Sequence, residues 1–288
     1  MSRAQIPLAG GGQESLLSEV GSQYLLPLFT TREACALRLV CREFLAAVSE
    51  HPWEDRGTVI QGSIEAWRAC FPHARCANVQ KWVQGNRPNK RSAPVEDADF
   101  VHFEGLRELY MAGCTGVTDA AFVQLRGIHT LDMSHCTQPT ITDAAFAHLA
   151  GIQRLSIRRC RQATITDAAF AHLRGIQLLN MSVCRQLTDA AFVHLRGIHT
   201  LYMWGCHQPA ITDAAFVHLR GIHTLVIENC RQATITGAAF AHLKGISALG
   251  MWQCSDEQVA TARSLGLLVH ARNCTSFGGF HYTFDERT

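Results

Sequence analysis

No stretch of the 288 residues reaches the roughly eighteen consecutive apolar side chains that a membrane-spanning helix needs. Residues 1–13 also lack the continuous apolar core of an export signal. Charged residues make up only 17% of the chain and nearly cancel, leaving a formal net charge of +2. That balance excludes a global electrostatic drive toward nucleic acid or an anionic membrane, so neither is expected as a partner. There is no Cys-x-x-Cys and no His-x-x-x-His pairing, the spacings that converge ligands on a metal. No nucleophile can be matched with a base and an orienting partner either. The expectation is a chain that is not an enzyme and holds no metal or cofactor.

Hydrophobic residues, in contrast, account for 47% of the chain, enough for a substantial core. There are twelve cysteines. In a long chain without an export signal they fit a reducing compartment, cytoplasmic or nuclear, better than a disulfide scaffold.

The spacing of those cysteines gives the organisation. Cys114, Cys136, Cys160, Cys184, Cys206, Cys230 and Cys254 recur with one unit, Gly-Ile-x-x-Leu-x-Met-x-x-Cys followed by Ile-Thr-Asp-Ala-Ala-Phe-x-His-Leu-Arg. The linker is short after Cys114 and Cys184 and two residues longer after Cys136, Cys160, Cys206 and Cys230. Within a unit, Leu131 and Met133 have the alternate spacing of a strand that buries one face. Thr142 or Asp143 can cap a short helix, and the acid complements its dipole. Ala145, Phe146 and Leu149 form one apolar helix face, and Gly151 stops the helix. One unit cannot bury both faces alone; stacked units can.

The pattern Ile128-x-x-Leu131-x-Met133-x-x-Cys136, recurring seven times, resembles the cysteine-containing leucine-rich repeat. The resemblance covers residues 97–274 and implies an α/β fold, a right-handed leucine-rich-repeat solenoid with parallel strands inside and short helices outside. Residues 55–96 read as an irregular first repeat with a basic, solvated loop at 81–91, and residues 275–288 as a C-terminal cap. The repeat cysteines, Cys274 included, then sit in buried turns. The histidines at 102, 148, 172, 194, 218 and 242 form a surface ladder rather than a metal site.

Because the units are near copies, their differences are informative. The residues flanking each buried Leu and Met are expected on the concave face, and there the units differ, while Asp-Ala-Ala-Phe is almost copied on the helices. Tyr, Trp and Arg, favoured at binding hot spots, occur among them. Tyr110, Asp132, Arg154, Arg158, Tyr202, Trp204, Glu228 and Trp252 are the candidate target-binding residues. Arg159 joins Arg154 and Arg158 in a basic patch, and the exposed tryptophans are read as contact residues. Free drift of exposed positions is the competing reading.

Residues 14–54 break the repeat, after a tail at 1–13. Leu16, Val20, Tyr24, Leu25 and Leu28 have helical spacing up to Pro27. Thr30 or Thr31 can cap a second helix, and a third runs from Cys41. The bland reading is a helical cap for the open end of the array. The run Leu39-Val40-Cys41-Arg42-Glu43-Phe44-Leu45, followed by Pro52-Trp53, resembles the second half of an F-box, with Phe44 where that family has Trp. The resemblance implies a small three-helix F-box-like unit that docks on a Skp1-like adaptor and its cullin complex, with a protein or peptide target on the repeats. Leu16, Val20, Tyr24, Leu25, Leu28, Leu39, Val40 and Phe44 are the candidate adaptor-binding residues.

Overall fold

The computed structural model describes residues 24–83, 87–88 and 94–270, with side chains described for 24–81 and 94–270. Leu16, Val20, Cys274 and both termini therefore lie outside the described residues.

Each unit contributes one three-residue strand. The strands are β1 (Cys76–Asn78), β4 (Glu108–Tyr110), β5 (Thr130–Asp132), β6 (Arg154–Ser156), β7 (Leu178–Asn180), β8 (Thr200–Tyr202), β9 (Thr224–Val226) and β10 (Ala248–Gly250), with the two-residue β11 (Val269–His270) at the end. All nine pair in parallel, in chain order, in a single sheet. Between β1 and β4, part of the basic segment expected as a loop forms an antiparallel pair, β2 (Trp82–Val83) with β3 (Arg87–Pro88). Parallel strands need a crossover, and a short helical turn supplies it in each unit. Some of these turns are α-helical at their start, as in Asp143–Phe146, and others are 3-10 throughout, as in Asp167–Leu173.

The register stacks like residues on like. Leu109, Leu131, Leu155, Leu179, Leu201, Leu225 and Leu249 lie side by side across the sheet. Every one is fully buried, as are Phe122, Phe146, Phe170, Phe192, Phe216 and Phe240 on the helical side. Gly127, Gly151, Gly175, Gly197, Gly221 and Gly245, at φ between 80° and 88°, turn the chain from helix to strand in a left-handed conformation that suits glycine.

The cysteines form a column of buried donors. Each thiol donates to a main-chain carbonyl of the preceding unit: Cys136 to Met111, Cys160 to Met133, Cys184 to Ile157, Cys206 to Met181 and Cys230 to Met203, at 3.1–3.5 Å. A small, weakly polar side chain suits this turn, where the thiol adds a second bond to a carbonyl that already accepts the amide of its own unit's cysteine. Burial pushes Cys206 up to about 12 and Cys136, Cys160, Cys184 and Cys230 well above the usual thiol range. In the native protein these five thiols are expected to resist a thiol-specific label that reacts with all of them in denaturant. Mass-mapping of the labelled cysteines checks this, and rapid native labelling at Cys160 or Cys184 would contradict it.

A second ladder runs between units on the helical side. Thr142 caps its helix, its hydroxyl accepting from the Ala144 amide at 3.1 Å. Asp143 does different work: its carboxylate reaches forward and accepts the amide and hydroxyl of Thr166, the cap of the next unit, at 2.7 and 2.6 Å. The same pair of bonds links Asp119 to Thr142, Asp167 to Thr188, Asp189 to Thr212 and Asp213 to Thr236. The ladder stops at Gly237, which stands where the other units have Asp. A Cβ there would come within 2.5 Å of Thr261 in the C-terminal helix Asp256–Ser264. Within the described residues, that helix and β11 cover the last unit.

At the other end, helices Thr31–Leu37 and Arg42–Glu50 precede a third, Ile64–Cys70. Thr30 and Glu33 form a reciprocal capping box at the first. Pro27, read in the sequence as a helix end, lies inside a 3-10 turn, Leu26–Leu28. Leu26, Ala34, Ala47, Val48, Trp53, Phe71 and Ala74 form a small core. The Trp53 indole donates to the Val48 carbonyl at 2.8 Å, and its own carbonyl accepts from Arg75 and Cys76 at the start of β1. The helical unit and the first strand are thereby continuous.

Candidate functional site

In a strand, residues on either side of an inward Leu point to the opposite face. Three columns therefore line the hollow of the sheet. One runs Glu108, Thr130, Arg154, Leu178, Thr200, Thr224, Ala248, and the next Tyr110, Asp132, Ser156, Asn180, Tyr202, Val226, Gly250. The third, just past the strands, runs Ala112, Ser134, Arg158, Ser182, Trp204, Glu228, Trp252.

Side chains in these columns are less open than the sequence implies. Strands stack at about 4.8 Å, so a large side chain covers its smaller neighbours and is covered in turn. Tyr110 is only 7% exposed and Glu228 only 2%; both were expected as open contact residues, and both are buried. Asp132, Arg154, Arg158, Tyr202, Trp204 and Trp252 are half-buried. The two tryptophans, expected to stand exposed, are partly sheltered as well.

Tyr110 is held inside by a half-buried ion pair. Arg56 grips Glu108 with two bonds of 2.6 Å, and the Tyr110 hydroxyl donates to the same carboxylate at 3.1 Å. Burial works to raise the Glu108 carboxyl, but the Arg56 guanidinium outweighs it and holds the group below the usual carboxylate range. Arg56, absent from the sequence-based candidates, is missed because it lies 52 residues from its partner, outside any repeat. Asp132 differs. Burial pushes its carboxyl up, against hydrogen bonds from the Ser134 amide and hydroxyl, and the Ser134 hydroxyl lies 2.7 Å from that of Ser156. Polar side chains at Ser156, Asn180 and Ser182 thus floor the middle of the hollow, all buried. Arg154 and Arg158 flank this floor on β6 and the residues after it, and Tyr202 and Trp204 flank it two strands away.

A second surface lies on the N-terminal helices. Leu26 points into the core, but Tyr24, Leu25, Leu28, Leu39 and Val40 are exposed, Leu39 to 89% and Leu28 to 77%. Phe44 is half-buried. The structure also exposes Phe29 and Leu45, which sequence reasoning left out. Of the thirteen large apolar side chains that the described residues expose, seven fall within residues 24–45.

Among the described residues no cluster of His, Cys, Asp and Glu could hold a metal ion, and no helix is long and apolar enough to cross a membrane.

No family model and no curated protein matches the chain. Solved structures do. TLR13 in its complex with ssRNA13 superposes with a TM-score of 0.53 at 13% identity, over 85% of this chain and 36% of that one. Internalin C2 from Listeria monocytogenes superposes with a TM-score of 0.50 at 18% identity, over 71% of this chain and 84% of its own. Human 5T4, a trophoblast glycoprotein, gives 0.49 at 15% identity, over 68% and 78%. This chain thus spans little more than a third of TLR13. The likeness to TLR13 and internalin C2 establishes the fold, and with the parallel sheet and its stacked columns it makes the protein a leucine-rich-repeat solenoid. Its variable side chains gather in the hollow of the sheet.

Proposed function

We propose that this chain is the non-catalytic substrate-recognition subunit of a ubiquitin ligase of the Skp1–cullin–F-box type. The solenoid holds a protein target against its concave face, and the N-terminal helices dock on a Skp1-like adaptor. The receptor makes and breaks no bond; tethering raises the effective concentration of target lysines near the conjugating enzyme.

The apolar patch on residues 24–45 carries this reading. Soluble proteins rarely leave a cluster of large apolar side chains open without a partner, and here the cluster includes Leu39 and Val40, within the F-box-like run. A specific observation also favours the plainer reading of a repeat scaffold with a helical cap. Trp53 packs edge-on against Phe71, 5.6 Å between ring centres, as a cap bonded to the first repeat would.

Co-purification with a Skp1 adaptor separates the two. The full chain is expected to hold the adaptor through gel filtration, and Leu39→Asp with Val40→Asp to abolish the complex at unchanged melting temperature, both side chains being solvent-exposed. Failure of the unaltered chain to associate would leave the scaffold reading.

A further inference from the structure

The loop after β6 concentrates positive charge as no other unit does. At the position of Arg158 the other units have Ala, Ser, Ser, Trp, Glu and Trp; at that of Arg159 they have Gly, His, Val, Gly, Asn and Gln. Arg161 follows in the same loop; its repeat position also carries arginine in two other units, at Arg185 and Arg231. His135 stands beside this group one unit earlier, its amide bonded to the Arg158 carbonyl at 2.8 Å. Burial, then the charges of Arg158, Arg159 and Arg161, bring the His135 imidazole down to about 4, so it stays neutral at physiological pH among the guanidinium groups.

Two further observations point to an acceptor from outside. Among the described residues neither Arg159 nor Arg161 has an ion pair. The Arg159 Nε–H is buried with no acceptor among them, a costly arrangement for a charged donor.

We propose that this loop binds a phosphate monoester carried by a segment of the target protein, with Arg158, Arg159 and Arg161 as its ligands. The inference rests on the reading of the concave face as the target surface and names the chemistry of that target. Convergence decides the ligand. A run of carboxylates or a nucleic-acid backbone would be matched by cations repeated along the array, whereas here they gather at a single loop. Guanidinium forks fit the oxygens of one dianion.

Anisotropy titration of the full chain tests it, with two fluorescent pools of short degenerate peptides, one centred on phosphoserine and the other on serine. The phosphorylated pool is expected to bind at least about tenfold more tightly, as charge-assisted hydrogen bonds imply. Arg159→Gln and Arg161→Thr should each remove about tenfold of that preference, within the usual strength of such bonds. The array itself shows that Gln and Thr fit these positions, at Gln253 and Thr137. Equal binding of the pools overturns the proposal. So does competition by inorganic phosphate at the same concentration as the phosphopeptide, or tighter binding of a single-stranded RNA lost in the same variants. If Trp204→Ala still weakens capture of the target while the pools bind equally, the phosphate inference alone falls. If Trp204→Ala has no effect either, the concave reading falls with it.

Discussion

Phe170→Ala is expected to lower unfolding stability by about 3–5 kcal/mol, the usual cost of emptying a fully buried aromatic site. Phe170 is fully buried midway along a column of six phenylalanines. The geometry of the column is visible at Phe216 and Phe240, which meet edge-on with centroids 6.3 Å apart. In a solenoid each unit is stabilised mainly by its two neighbours. A cavity at the middle therefore weakens two interfaces together and leaves shorter stacks on either side. Urea unfolding followed by circular dichroism should show a lower midpoint, with the transition broadened or split. Ala168→Ser, an exposed position on the same turn, should leave the curve within about 0.5 kcal/mol of the parent. A drop no larger than that for Phe170→Ala would show that the phenylalanine column is not the core of the array.

The second large effect is expected at Asp167. Its carboxylate accepts the Thr188 amide at 2.9 Å and the Thr188 hydroxyl at 2.6 Å. The same hydroxyl accepts the Ala190 amide at 3.2 Å. Asp167→Ala removes the acceptor for two part-buried donors and leaves the next helix cap without its anchor. Hydrogen bonds to a charged group are each worth about 1.5–3 kcal/mol, and the loss should fall near the lower end because Thr188 regains some water. Asp167→Asn keeps one oxygen and should recover part of it. The melting temperatures of the two variants check the order. Gly237 is the internal control: the C-terminal helix occupies the place of a further repeat there, so Gly237→Asp is expected to destabilise rather than extend the ladder.

The sequence disclosed the repeat, its inward columns and its glycine turns because duplication printed the same apolar spacing many times over. It disclosed the helix cap as Thr142 or Asp143 without dividing their labour. Within a unit both read as cap residues, and the true partner of Asp143, Thr166, lies 23 residues away in the next unit. The shelter of Trp204 and Trp252 and the burial of Tyr110 and Glu228 were not legible for a related reason. Alternation says which way a side chain points, but lateral cover depends on the sizes of neighbours on adjacent strands. The N-terminal helices show the same limit. Tyr24, Leu25, Leu26 and Leu28 all suit an apolar helix face, and only the packing of Trp53 against Val48 and Phe71 decides that Leu26 goes inside. The electropositive loop was half legible. Arg154, Arg158 and Arg159 stand out among the units, whereas His135 joins them only through the stacking of one unit on the next.

The claim on which the account rests is that the hollow of the sheet, and not its helical back, holds the partner. Quantitative affinity capture with the full chain tests it most directly, comparing Trp204→Ala with Trp252→Ala against a control carrying Val193→Ser and Val217→Ser on the exposed helical side. The account predicts that the concave pair loses its specific partners by about tenfold or more, as truncated hot-spot aromatics do, while the control keeps them. Partners retained by the concave pair and lost by the control would contradict it.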